Sequence, residues 1–164
     1  MDYFSELIRQ YKNKGLLIDT NLLLLYVVGM YDQERIPKFK RTMAFTIDEF
    51  HLLSVIFNEF DKIITTPNIL TEVSNLSGQL PGNLRSHFYN DFAGLIPTLS
   101  EHYTSSVTVA SLDHFNKFGL TDSGIVETVK GNYLVLTADL ELFGLLQNFG
   151  IDAINFNHIR TIAW

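Results

Sequence analysis

The stretch Gly15-Leu16-Leu17-Ile18-Asp19-Thr20-Asn21 decides how the fold is read. Leu16 to Asp19 is a short, continuously apolar run up to its closing acid, the pattern of a strand buried on both faces of a parallel sheet. Asp19 ends the run, and Thr20 and Asn21 offer capping groups for a helix expected over Leu22 to Val28. A buried strand that ends in an acid and hands over to a helix belongs to the α/β class. Open sheets of that class place ligands outside the carboxyl ends of their strands.

Working outward, the same unit recurs. Tyr133 to Thr137 reads as a strand, and after it Asp139 starts a helix to Phe149 with Leu140, Phe143, Leu145 and Leu146 buried. Gly150 ends that helix, and Ile151 to Asn155 forms a last strand. Lys62 to Thr65 is a further short strand, and Pro67 suits the first turn of a helix carrying Ile69, Leu70, Glu72, Val73 and Leu76. Residues 3–13 have the spacing of an amphipathic helix ending near Lys14-Gly15. Thr46 to Glu59 reads as a helix opened by a capping box, Thr46 with Glu49, and Leu84 to Leu95 as another. Thr121-Asp122-Ser123 is expected to cap a helix through about Val129. The polar, Pro37-containing stretch from Gly29 to Lys40 reads as a loop or insertion. Residues 97–112 are the least regular, with Val107 to Ala110 open between an extended segment and a packed helix. Strands alternating with helices predict a Rossmann-like parallel sheet of about four to five strands flanked by helices, three-layer α/β/α. No repeat, linker or low-complexity tract divides the chain, so residues 1–164 read as one domain.

Composition agrees with a packed globular protein. Hydrophobic residues make up 46% of the 164 and charged residues 18%, which argues against disorder. The longest apolar candidate, Leu22 to Met30, is too short to span a bilayer, so no membrane association is expected. Met1-Asp2-Tyr3-Phe4-Ser5-Glu6 lacks the basic start and apolar core of a signal peptide, and a cytoplasmic location is the expectation. The absence of cysteine excludes disulfides, thiolate metal sites and cysteine catalysis. A net charge of −6 counts against passive coating of nucleic acid, which rests on phosphate neutralisation.

Four acids stand out: Asp19, Glu72, Asp122 and Asp139. Each has an ordinary reading alone, as a helix cap, a first-turn acid favoured by the helix dipole, or a solvated helix residue. Jointly they carry more. Asp19 and Asp139 both follow the carboxyl ends of parallel strands, and Glu72 lies on a helix that follows another strand, flanked by Leu70 and Val73. Converging carboxylates repel one another unless something positive lies between them. A hard divalent cation, Mg²⁺ or Mn²⁺, suits oxygen ligands of this kind.

The chain resembles the PIN-domain nucleases, a family that includes the VapC-type toxins of toxin–antitoxin pairs. Four motifs in order carry the resemblance: Leu-Ile-Asp-Thr-Asn with Asp19, Ile-Leu-Thr-Glu-Val with Glu72, Gly-Leu-Thr-Asp-Ser-Gly-Ile with Asp122, and Val-Leu-Thr-Ala-Asp with Asp139. With the closing Gly-Ile-Asp-Ala-Ile-Asn-Phe strand they span residues 15 to 160. The resemblance implies Mg²⁺- or Mn²⁺-dependent hydrolysis of RNA phosphodiesters, with the four acids as catalytic metal ligands. It implies polar supporting or substrate-facing roles for Asn21, Thr137 and Ser123. It also implies a small antitoxin as a candidate partner. The chain is longer than a typical small toxin of that family, with extra residues 29–45 and 97–115, and it is acidic.

Other features carry less. His51, His87, His102 and His114 show no metal-ligand spacing. Arg35, Lys38, Lys40 and Arg41 read either as an RNA-guiding patch or as a solvated loop. Arg160 and His158, after the last strand, read as phosphate contacts or, for Arg160, as a partner of a surface carboxylate. Tyr3, Phe4, Leu7 and Tyr11 suit packing on the sheet or a homodimer surface. A PIN-like scaffold that binds a partner without cutting is the alternative function. Haloacid-dehalogenase chemistry ranks last, because Asn21 stands where it needs a second aspartate.

Overall fold

The computed structural model describes residues 3–161. Five parallel strands form one sheet in the order β3-β2-β1-β4-β5: β1 Leu16–Ile18, β2 Ile63–Thr65, β3 Ser100–Glu101, β4 Leu134–Thr137 and β5 Ala153–Asn155. β1 lies at the centre, with Ile18 beside Leu136 of β4 and Leu17 beside Ile64 of β2. Every residue of β1, β2 and β4 is buried, as their unbroken apolar runs require. The helices are α1 Tyr3–Tyr11, α2 Thr20–Tyr31, α3 Ile47–Asn58, α4 Pro67–Ser77, α5 Gly82–Leu95, α6 Ser106–Ala110, α7 Phe115–Val129, α8 Leu140–Asn148 and α9 Phe156–Ile159. The three-layer α/β/α architecture expected from the alternation is the one observed.

Strand order fixes where a ligand can sit. From β1 the chain moves outward to β2 and β3, then returns past β1 to β4 and moves outward the other way to β5. Right-handed crossovers therefore lay α2 to α5 over one face and α7 and α8 over the other. The helices leaving β1 and β4 diverge, which opens a crevice at their carboxyl ends, the topological switch point. Asp19 and Asp139 follow those two strands.

Several local expectations need correction. Gly29 does not end α2, which runs on to Tyr31 and is followed by a 3₁₀ turn, Gln33–Arg35. The glycine is there because the chain is crowded. A Cβ on Gly29 would lie 2.2 Å from Cδ2 of Phe50, so α2 and α3 approach more closely than any side chain permits. Leu22 to Val28 are all buried, and an all-round apolar helix of this kind is a core helix. The first cap of α2 is Asp19, not Thr20 or Asn21, with Leu22 N donating to Asp19 Oδ1. Of the two readings open for Val107 to Ala110, the helix is the one observed, as α6. The helix expected from Thr121-Asp122-Ser123 through about Val129 is present as the second part of α7, and what precedes it is Gly119, the one non-helical residue of that element, at φ 74° and ψ −171°. That backbone region is open essentially to glycine alone, so a second helical segment begins just before Asp122. The capping box of α3 forms as expected: Glu49 N donates to Thr46 Oγ1 (3.1 Å) and Thr46 N to Glu49 Oε2 (2.8 Å). Among the described residues, no helix is long and apolar enough to cross a membrane.

Candidate functional site

A cavity of about 600 Å³ opens at the switch point. Asp19, Glu72, Asp122 and Asp139 all line it, as do Thr20, Asn21 and Thr121. The structure thus brings the four acids to one place from four elements: the ends of β1 and β4, the body of α4, and the segment of α7 after Gly119. Pro67, Leu76, Phe118 and Leu120 give the cavity an apolar wall, and among the described residues no lysine, arginine or histidine lines it.

Asp19 is almost fully buried, 4% exposed. One carboxylate oxygen accepts from Leu22 N at the start of α2, and the other accepts from the hydroxyl of Thr137. Thr137 is fully buried, and its oxygen in turn accepts from Asp139 N at 2.9 Å. This residue therefore ties the two strand-end acids together. Asp139 caps α8, its Oδ1 accepting from Glu141 N (2.8 Å) and Leu142 N (3.1 Å). The capping reading and the cavity reading hold together for both aspartates. Each spends oxygens on a helix start while remaining on the cavity wall.

Glu72 is exposed to the cavity and held by two hydroxyls. Thr20 Oγ1 donates to its Oε2 at 2.9 Å, and Thr121 Oγ1 to its Oε1 at 2.5 Å. Asp122 is half-buried, and among the described residues no hydrogen bond anchors its carboxylate. Ser123 does not join the site. It is fully buried and its hydroxyl pairs with His114 Nδ1 at 3.0 Å, away from the residues that line the cavity. Asn21 is exposed on the cavity wall.

The electrostatics follow from this crowding. Burial pushes the Asp19 carboxyl up to about 6, opposed by hydrogen bonds from Thr137, Leu22 and Ala138, with repulsion from Asp139 adding to the rise. Burial also raises Asp122, and repulsion from Asp139, Asp19, Glu72 and Glu141 carries it further, to about 7. Both directions are those of carboxylates gathered without a counter-charge. Among the described residues, none of the ion pairs involves these four acids.

The donor set is all oxygen, of the type that hard divalent cations select. Among the described residues, no three His, Cys, Asp or Glu side chains stand close enough to make a ready-formed metal cage. Mg²⁺ commonly keeps several waters and takes only one or two protein carboxylates. The unanchored Asp122 and the half-engaged Asp139 suit that looser mode, with Asp19 and Glu72 more firmly fixed beside them.

The remaining candidates lie elsewhere. Arg160 pairs with Glu49 (3.3 Å), which at 8% exposed is a buried carboxylate and not a surface one. His158 packs edge-on against Phe143. Arg35 lies 3.8 Å from Asp32, beyond the C-terminal end of α2, while Asp19 caps its N-terminal end. Twelve residues of helix separate those ends, about 18 Å. Arg41 donates to Gln79 Oε1 at 2.9 Å. Leu7 and Tyr11 of the N-terminal helix are buried, and Tyr11 donates to Asp152 Oδ2, so that face packs inward, while Tyr3 is exposed.

Thr20 and Thr121 are the site residues that the sequence reading missed. Thr20 was legible only as capping chemistry, and Thr121 only as part of a helix start. The chain matched no protein-family model, and a search of curated proteins returned no match.

Proposed function

We propose that this chain is a Mg²⁺- or Mn²⁺-dependent hydrolase of RNA phosphodiester bonds. The observation that carries the reading is a cavity at the switch point of the sheet, lined by four carboxylates and, among the described residues, by no basic side chain. Phosphate is repelled by such a wall, so a bound cation is the partner that lets acids and phosphate share it. The ordered motifs that resemble the PIN-domain nucleases support RNA as the substrate. The resemblance alone carries the toxin role and a small antitoxin as partner.

Bound there, the cation would activate water and neutralise charge on the phosphate and leaving oxygen. The chain's own residues supply the rest. Asp19 offers a carboxylate fixed on both oxygens, and Glu72 one oriented by two hydroxyls. Asp122, with no hydrogen-bond anchor among the described residues, keeps both carboxylate oxygens available to the cation or to an attacking water.

Cleavage of a mixed RNA pool with and without Mn²⁺ tests the reading, with Asp19→Asn as the control. Asparagine keeps an oxygen for the α2 cap but loses the charge. Its activity should fall by at least the roughly 10–100-fold that loss of even an outer partner costs at a metal site. Equal activity in the variant would sink the assignment.

A second reading has one observation in its favour. Because no three acidic or histidine side chains form a closed cage among the described residues, a binding module that keeps the acids without cutting accounts for the same cavity. Calorimetric titration with Mn²⁺ separates the two, since the hydrolase requires saturable binding that Asp19→Asn weakens.

A further inference from the structure

We propose that Thr121 is a positioning residue of this cavity, holding the Glu72 carboxylate in a fixed orientation beside Asp122. The inference rests on the metal-dependent reading above. Glu72 stands on α4 as an exposed side chain, and an unrestrained glutamate there would spread over several rotamers. Two hydroxyls from two other helices remove that freedom. Thr20, the first residue of α2, donates to one oxygen, and Thr121, on α7, donates to the other. Hydrogen bonds to an ionised carboxylate are among the stronger ones in proteins. Each oxygen still keeps a further lone-pair direction, so the clamp orients the group without closing it to a cation.

Backbone geometry explains why Thr121 reaches Glu72. Gly119 turns the chain in a conformation reserved for glycine, and the helical segment that follows carries Thr121 and Asp122 side by side on the cavity wall. One backbone turn thus sets two side chains. Asp122 enters the cavity without a hydrogen-bond anchor among the described residues, while Thr121 fixes the acid on the facing helix. Thr121 makes no bond to a carbonyl of its own helix, the usual use of a threonine hydroxyl at such a position.

The test is calorimetric titration of Mn²⁺ into wild type, Thr121→Val and Thr121→Ser, with a thermal melt of each. Valine keeps the shape and removes the hydroxyl, while serine keeps the hydroxyl. Thr121→Val should bind Mn²⁺ about 10–100-fold more weakly, and Thr121→Ser should return to within a few-fold of wild type. A merely structural role would lower the melting temperature without selective rescue of affinity by serine. Wild-type affinity in Thr121→Val, or failure of serine to restore it, overturns the inference alone. Absence of Mn²⁺ binding by the wild type overturns the functional reading and this inference together. If Thr121→Val does not fold, Thr121→Ala reads the same loss of hydroxyl.

Discussion

Asp122 concentrates the tension of the molecule in one side chain. Burial raises it first and four other carboxylates raise it further, and among the described residues nothing hydrogen-bonds to it. Replacing it with asparagine removes a repelling charge at little steric change. In the absence of metal, Asp122→Asn should therefore raise the melting temperature by roughly 2–4 °C. That is the response to about 1 kcal/mol in a chain of this size, after discounting the full effect for partial exposure. The same variant should lose Mn²⁺-dependent cleavage. A differential scanning melt that shows no gain would mean that the acids do not repel as their placement implies. The four acids were legible in the sequence because strand ends and motif order mark them. Ser123 sits inside one of those motifs, yet it faces His114, because a helix turns successive residues by about 100° and only every third or fourth meets the cavity. Thr20 and Thr121 were not legible as a clamp, since nothing local shows that α4 brings Glu72 between them.

At the scale of elements, two glycines do different work. Gly29 permits close packing, and Gly119 permits a turn. Gly29→Ala would drive a methyl into the ring of Phe50, at a cost of about 1–3 kcal/mol and a fall in melting temperature of roughly 3–10 °C. Phe50→Leu introduced into that variant should recover part of the loss, the coupling expected of residues in contact. An unchanged melt for Gly29→Ala would disprove the close approach. At Gly119 there is open space, and nothing lies within 4 Å of an added Cβ. The strain there is in the backbone, about 1–3 kcal/mol for a residue with a side chain. Gly119→Ala should consequently weaken Mn²⁺ binding as well as stability, because Thr121 and Asp122 take their place from that turn. Strands β1 and β4 could be read because burial on both faces demands unbroken apolar runs. β3 could not, since two residues at the sheet edge, Ser100 and Glu101, bury too little to leave a signature. The sequence ends α2 early because the stretch from Gly29 to Lys40 is polar and contains Pro37, whereas Gly29 itself answers to a neighbouring helix.

For the whole molecule, the switch point between β1 and β4 and the acidic balance of the chain work on the same problem. The sheet order collects carboxylates where the helices diverge, in a chain whose net charge is already −6. The clearest consequence is in how stability depends on pH. Asp19 and Asp122 are both raised from the ordinary 3.8, to about 6 and about 7, so the folded chain holds their protons more tightly than the unfolded one. Stability contributed by these protons is present at low pH and is lost as pH rises from near 4 towards 7. Cation binding must displace the same protons, so affinity for Mn²⁺ should rise across that window. Thermal melts at pH 5.5 and pH 8, with and without Mn²⁺, read both effects. Without metal, these two groups make the protein less stable at pH 8. With Mn²⁺ at about 100 times its dissociation constant, about 2.7 kcal/mol returns, or roughly 5–10 °C, and the gain at pH 5.5 is smaller. In Asp122→Asn the difference between the two pH values should shrink, because one of the two protons is no longer there to be displaced. A gain from Mn²⁺ that is equal at both pH values, or larger at pH 5.5, would show that these carboxyls do not hold the ion.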